Sequence, residues 1–207
     1  MTKLNLNFKL FFLTKIIVIF IIICTKSYAD TSIEKSAYII LGKDDAPVKI
    51  KIYSSLTCPH CANFHINVVP KIKKNYIDSG KVQLIFIDFP LDQAGFNAAK
   101  LLHCVDEKKQ ITYLDSIYEN QNQWTAGSNL NEINDNLKNM ANDLGITPTQ
   151  FDKCLDNEVV ADKIINNRIN GHKKYSINST PTIIINEKKF EGSADFKNIK
   201  KRIDKII

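Results

Sequence analysis

The sequence reads as an α/β protein whose sheet is interrupted by an inserted helical domain, and three observations lead there. Val48 to Tyr53 alternates with period two and runs into Thr57-Cys58-Pro59-His60-Cys61-Ala62, which opens a helical pattern. Val82 to Phe89 is a near-continuous apolar run, suited to a strand covered on both faces. From Asp92 to about Tyr175 the apolar spacing is helical throughout, and strand character returns only at Thr182-Ile183-Ile184-Ile185. The expected boundaries are a signal peptide over 1–29, a first part of the sheet domain over 30–91, the helical insert over 92–175 and a second part of the sheet domain over 176–207.

At the N-terminus, Lys3 and Lys9 precede an apolar run that is strongest from Ile16 to Cys24, and Ser27-Tyr28-Ala29 places small residues where a cut before Asp30 needs them. The run falls short of the about 20 apolar residues of a membrane span, and Lys15 interrupts it. A secretory signal is therefore expected, with membrane association only if the segment is retained. Residues 1–29 hold four lysines and no acid, four of the net six positive charges, so the remainder carries no nucleic-acid footprint. Export also sorts the five cysteines: with Cys24 set aside, Cys58, Cys61, Cys104 and Cys154 are left for an oxidising compartment where disulfides persist.

In chain order, Asp45-Ala46-Pro47 is a loop, the alternating strand follows, and Cys61, Phe64, Val68, Ile72 and Tyr76 share one helix face toward the sheet. Pro70 should kink this helix and Ser79-Gly80 should end it, while Pro90 stops the next strand. Within the insert, Leu130, Ile133, Leu137, Met140 and Leu144 form an apolar stripe, opened by Asn129 with Glu132 as a capping box and closed by Gly145. Thr147-Pro148-Thr149-Gln150 repeats the start signal before Phe151, Cys154 and Leu155. Asn186-Glu187 turns a hairpin into a short strand around Lys189-Phe190-Glu191, and a last helix points Phe196, Ile199, Ile203 and Ile206 inward.

The chemistry concentrates on Cys58 and Cys61. Cysteines three apart lie within one helical turn, so their sulfurs can close a small ring that opens easily. With Cys58 as cap and Pro59 at the first helical position, the missing proline amide costs nothing. The unpaired amides and positive helix end then favour a thiolate at Cys58, and an imidazolium at His60 would add to this. Pro59 and His60 are thus the expected pKa-tuning pair, and Cys61, on the buried side, is its unequal partner. A zinc half-site would need two further ligands at comparable spacing, and Cys104 and Cys154 do not supply a second close pair, so no metal and no cofactor is assigned. Cys104 and Cys154 lie in different helices of the insert and read either as two buried thiols or as a structural disulfide. His65, His103 and His172 show no ligand spacing and read as surface or satisfied-core histidines. Lys49 and Lys51, alternating in a strand that should be covered, have no explanation at this level.

Three stretches carry a resemblance: Leu56-Thr57-Cys58-Pro59-His60-Cys61, Asp88-Phe89-Pro90-Leu91-Asp92, and Ser179-Thr180-Pro181-Thr182 with its strand. On them the chain resembles the DsbA-like thiol-disulfide oxidoreductases of the thioredoxin superfamily, over nearly all of the part after residue 29. The resemblance implies a thioredoxin-like fold, a central mixed sheet flanked by helices with an inserted helical domain. It implies a redox-active Cys58-Cys61 disulfide donated to reduced exported proteins through a mixed disulfide, in the periplasm, with a membrane quinone-linked partner restoring it. It further implies that Pro181 is cis and that Thr180-Pro181 lies against the thiols to receive an extended substrate. An isomerase or reductase using the same residues, and a non-enzymatic metal or thiol carrier, are the alternatives. The family often places a carboxylate in the strand before the motif to move protons for the buried thiol; here that stretch reads Lys51-Ile52-Tyr53.

Overall fold

The computed structural model describes residues 38–207, so the expected signal segment, its cleavage site and Cys24 lie outside the described residues. Five strands form one mixed sheet in the order β1-β3-β2-β4-β5: β1 (Ile39–Leu41), β2 (Val48–Ser54), β3 (Val82–Asp88), β4 (Thr182–Ile185) and β5 (Lys188–Lys189). β2 and β3 run parallel, pairing Ile50 with Leu84 and Ser54 with Asp88, and β1, β4 and β5 join antiparallel. The three-residue β1 is too short to leave a period-two signature and escapes the sequence reading. β5 is Lys188–Lys189, slightly ahead of the expected position, because Asn186 and Glu187 both take positive φ in a two-residue turn. Phe190 still donates its amide to Ile183 O at 2.8 Å.

The connection from β2 to β3 is α1 (Pro59–Asn67), α2 (Val69–Ile72) and a π-helical turn over Lys73–Ile77. Pro70 has no amide to offer the preceding turn, and the helix breaks at Val68, φ −111°. Cys61, Phe64, Val68, Ile72 and Tyr76 are all buried, and they face Val48, Ile50 and Ile52 in the main core. Gly80, at φ +74°, ends the connection.

The helical stretch comprises α3 (Gln93–Leu102), α4 (Glu107–Glu119), α5 (Gln121–Trp124), α6 (Leu130–Asp143), α7 (Pro148–Leu155) and α8 (Glu158–Tyr175). Its start signals act as physical caps. Thr147 and Gln150 form a reciprocal capping box. Asn129 caps α6 as expected, but Glu132 reaches one residue further back, accepting from Ser128 N at 2.8 Å. Cys104 and Cys154 are joined in a disulfide, Cα–Cα 5.7 Å. The buried Lys100 reaches Leu155 O and so satisfies a carbonyl at the end of α7. One apolar cluster runs from the strands through α4, α6 and α7, taking in Ile117, Trp124, Leu137 and Phe151. The final helix, α9 (Phe196–Ile203), seals it with Ile199 and Ile203.

The second face of the sheet explains the two lysines. Tyr53, Ile85, Ile87, Phe89, Ile177 and Ile184 form a smaller cluster there, and α8 packs on it with Gly171 against Tyr53. α8 ends at Tyr175, so only this half is covered. Lys51, beyond it, pairs with Glu187 at 2.5 Å, and Lys49 is exposed. β2 therefore alternates because one face changes from covered to wet along its length.

Candidate active site

The two thiols sit where β2 ends and α1 begins. Cys58 is the N-cap residue, with extended φ/ψ of −80° and 119°, and Pro59 follows at the first helical position. The turn is held by Cys58 N to Ser55 O at 3.1 Å, and Cys58 O accepts the amides of Cys61 and Ala62 at 3.0 and 3.1 Å. Both cysteines are free thiols and both are buried, Cys61 more deeply. Pro59 and His60 are exposed at the rim.

The sulfurs are electrostatically opposite. Cys58 is pushed down to about 5, first by the hydrogen bond from the Cys61 thiol, against the cost of burial, and further by Thr180 and by the backbone amides of Cys61 and His60. Cys61 is pushed well above the ordinary thiol range, first by sharing that bond with Cys58 and then by desolvation. His60 thus works on Cys58 through its backbone N–H, while its ring faces solvent.

The Thr180-Pro181 peptide is cis, and it brings Thr180 O to 3.4 Å from Cys58 Sγ. Proline has no N–H at this point to compete for the sulfur. The Thr180 hydroxyl is buried, has no partner of normal hydrogen-bond geometry in the dithiol, and lies close enough to both sulfurs to favour their thiolates.

Three further residues hold the loop, and the sequence reading gave none of them this role. Gln121 is buried at the start of α5 and donates its amide to Leu56 O at 2.7 Å and to Cys58 O at 3.2 Å. Asp92 caps α3 through the Gly95 amide at 2.7 Å and accepts the Thr57 hydroxyl at 2.7 Å, so one carboxylate ties the thiol loop to the helical block. Gly95 is required at that junction, because an added Cβ would stand 2.9 Å from Ser55 Oγ and 3.0 Å from Thr57 Oγ1. An Asp before a helical pattern is a readable cap, but its second bond to a loop thirty-five residues away has no local signal.

No carboxylate enters from β2; the buried one nearby comes from β3. Asp88, paired in register with Ser54, meets His103 Nε2 at 2.5 Å, with both side chains largely buried. His65 meets Asp115 at 2.7 Å and His172 meets Ile177 O at 2.9 Å, so all three have a polar partner. Among the described residues no group of three or more His, Cys, Asp or Glu could hold a metal ion, and no helix is long and apolar enough to cross a membrane.

A sequence profile described as thioredoxin matches residues 34–205. A relative named "Probable disulfide bond formation protein D", from Bacillus anthracis, is 31% identical over 176 residues, covering 81% of this chain and 77% of its own. Among solved structures, Wolbachia pipientis alpha-DsbA1 is 32% identical with TM-score 0.74, covering 82% of this chain and 90% of its own. Oxidised BdbD from Bacillus subtilis is 28% identical with TM-score 0.68, covering 82% and 92%.

Proposed function

The chain belongs to the DsbA-like thiol-disulfide oxidoreductases of the thioredoxin family, and from that premise we propose that Cys58 is the exchanging sulfur and Cys61 its buried partner. In the oxidised protein a client thiolate attacks Cys58 Sγ. The client-to-Cys58 bond forms, the Cys58–Cys61 bond breaks, and its electron pair leaves on Cys61, which takes a proton. A second client thiolate then attacks the client sulfur of the mixed disulfide and releases Cys58 as thiolate. The client loses two electrons and two protons; the enzyme keeps both electrons and one proton, on Cys61, and the other proton goes to solvent.

The observation that carries this reading is the depressed Cys58 pKa. A thiol that ionises near 5 is a good leaving group at neutral pH, so the mixed disulfide resolves toward oxidised client. Thr180-Pro181, beside Cys58, offers backbone to an extended client segment. Pro59 and His60 set the start of the helix, and the Cys104–Cys154 bridge braces the helical stretch without joining the exchange.

The clients we propose are reduced exported proteins, reached in the periplasm after residues 1–29 direct export, and a quinone-linked membrane protein restores the disulfide. The signal-like pattern of residues 1–29 and the relative's name, disulfide bond formation, support this setting. The test is oxidation of a reduced, unfolded client in air-free buffer by stoichiometric oxidised protein. We expect client disulfides to form with wild type and not with Cys58→Ser. Undiminished pairing with the variant overturns the assignment.

A further inference from the structure

The mechanism leaves one demand unmet. When the disulfide opens, charge arrives on Cys61, which is buried and holds a thiolate poorly. The Thr180 side chain and the Ser55 amide ease it only in part, and the inward neighbours from β2 are Ile50 and Ile52. The answer comes from α4. Tyr118 is buried, and its hydroxyl makes no hydrogen bond of normal geometry in the dithiol. A buried hydroxyl left unpaired is costly and asks for a reason.

Its position gives one. His65 lies one turn beyond Cys61 on the same face of α1, and its ring stacks on Tyr118 with centroids 4.8 Å apart. On the other side, Gln121 lies one turn beyond Tyr118 and bonds Leu56 O and Cys58 O from below. Tyr118 is thus wedged between the helix that carries Cys61 and the residue that supports the Cys58 turn. The polar groups acting on it are Cys61, Ser54, Asp88 and Cys58, and of these Cys61 is the strongest source of like charge. Asp88 is already engaged by His103, and His65 by Asp115. Of the two buried hydroxyls among the described residues left without a partner of normal geometry, Thr180 belongs to a half-buried residue in the turn against Cys58, and Tyr118 is the donor from the buried side.

We propose that the Tyr118 hydroxyl donates a hydrogen bond to Cys61 Sγ as the Cys58–Cys61 bond opens, a donor kept unpaired in the dithiol and engaged when charge develops on the leaving sulfur. No proton changes owner in this step: the electron pair of the broken bond settles on Cys61, Tyr118 shares its hydrogen, and the client's displaced proton later neutralises the sulfur. A preset donor that bonds the transition state and not the ground state lowers the barrier in both directions. Oxyanion donors of this kind contribute roughly 10²–10³ in rate; sulfur accepts more weakly, so the expected effect here is about tenfold.

The inference rests on the exchange reading above, and its test separates the two. In Tyr118→Phe, which keeps the ring packed on His65, the rates of disulfide opening by a small thiol and of reclosure should both fall about tenfold. The reduction potential and the Cys58 titration should stay as in wild type, since the bond is absent from both end states, and the melting temperature should hold or rise, since a buried unpaired hydroxyl is removed. Loss of packing alone would lower the melting temperature or move the Cys58 titration. Placing a fluorinated tyrosine at 118, with a more acidic hydroxyl and nearly the same shape, should raise both rates. Unchanged rates in Tyr118→Phe, or rates that fall only together with the potential, overturn the role of Tyr118. Client oxidation that survives Cys58→Ser overturns the exchange reading beneath it.

Discussion

Cys58 and Cys61 share a turn of helix and differ because one stands at the helix mouth and the other faces the core. That contrast has a measurable sign. Thiolate absorbance of the reduced protein should rise through pH about 5, and alkylation of Cys58 should follow the same curve. An unfolded thiol ionises near 8.5, so the folded state holds Cys58 as thiolate over a range in which the unfolded state binds a proton. The stabilisation of the reduced form is therefore fully present at about pH 8.5 and is lost as pH falls through about 5. Above pH 8.5 the elevated Cys61 works the other way, because there the unfolded chain ionises a thiol that the fold keeps protonated. Denaturant melts of reduced and oxidised protein against pH should show the reduced form's advantage peaking near pH 8.5. An advantage that does not change between pH 5 and 8 contradicts the Cys58 assignment. Much of this site was legible from Thr57-Cys58-Pro59-His60-Cys61 because a cap, a proline and a thiol act over one turn. Gln121, Asp92 and Tyr118 were not, because each works across the fold, and a lone glutamine, aspartate or tyrosine in a helical stretch carries no sign of what it faces.

At the scale of elements, period and caps located β2, β3, the closing hairpin, the thiol helix, α6, α7 and α9, since those signals are local, while α3, α4, α5 and α8 were legible only as one helical stretch. The three-residue β1, the step in cover along β2 and the pairing of the insert cysteines depended on tertiary partners. The Cys104–Cys154 bridge spans fifty residues, so in the chain-entropy model its loss costs on the order of 4 kcal/mol. For a domain of this size that is a fall in Tm of about 10 °C for Cys104→Ala/Cys154→Ala. Thiol counting after denaturation of the protein without residues 1–29 should find none free in the oxidised form, and Cys58 and Cys61 alone once the active site is reduced. The helix on the second face gives a separate test. Gly171 stands where a methyl group would lie 2.6 Å from Tyr53 Cε1, against a ring fixed between Phe89 and Tyr175. Gly171→Ala gains about 1 kcal/mol of helix propensity yet should destabilise by roughly 1–2 kcal/mol net, because overpacking a fixed ring outweighs it. A denaturant midpoint that rises instead means that α8 can slide on the sheet.

The whole molecule is what makes the couple oxidising. The thiol loop comes from β2 and α1, its floor from Gln121 of α5, its tether from Asp92 at α3, and the Thr180 carbonyl from the turn before β4. None of these alone would hold one thiol near pKa 5 while keeping its neighbour protonated. Together they favour the reduced state, so equilibrium with glutathione should give a potential less negative than about −200 mV, separating an oxidant from a reductase using the same pair. The pH dependence of that potential tests the cause. Below pH about 5 reduction takes up two protons with two electrons, and the potential should fall by about 60 mV per pH unit. Above it Cys58 stays a thiolate and Cys61 alone is protonated, so the slope should halve to about 30 mV per unit, since a tenfold change in a two-electron equilibrium is 29.6 mV. The bend should persist in Cys104→Ala/Cys154→Ala, whose bridge is remote from the proton inventory, and should move to higher pH in Gln121→Ala as the loop floor loosens. A straight 60 mV line through pH 8 means that both thiols are protonated in the reduced protein, and the physical basis of the oxidant assignment goes with it.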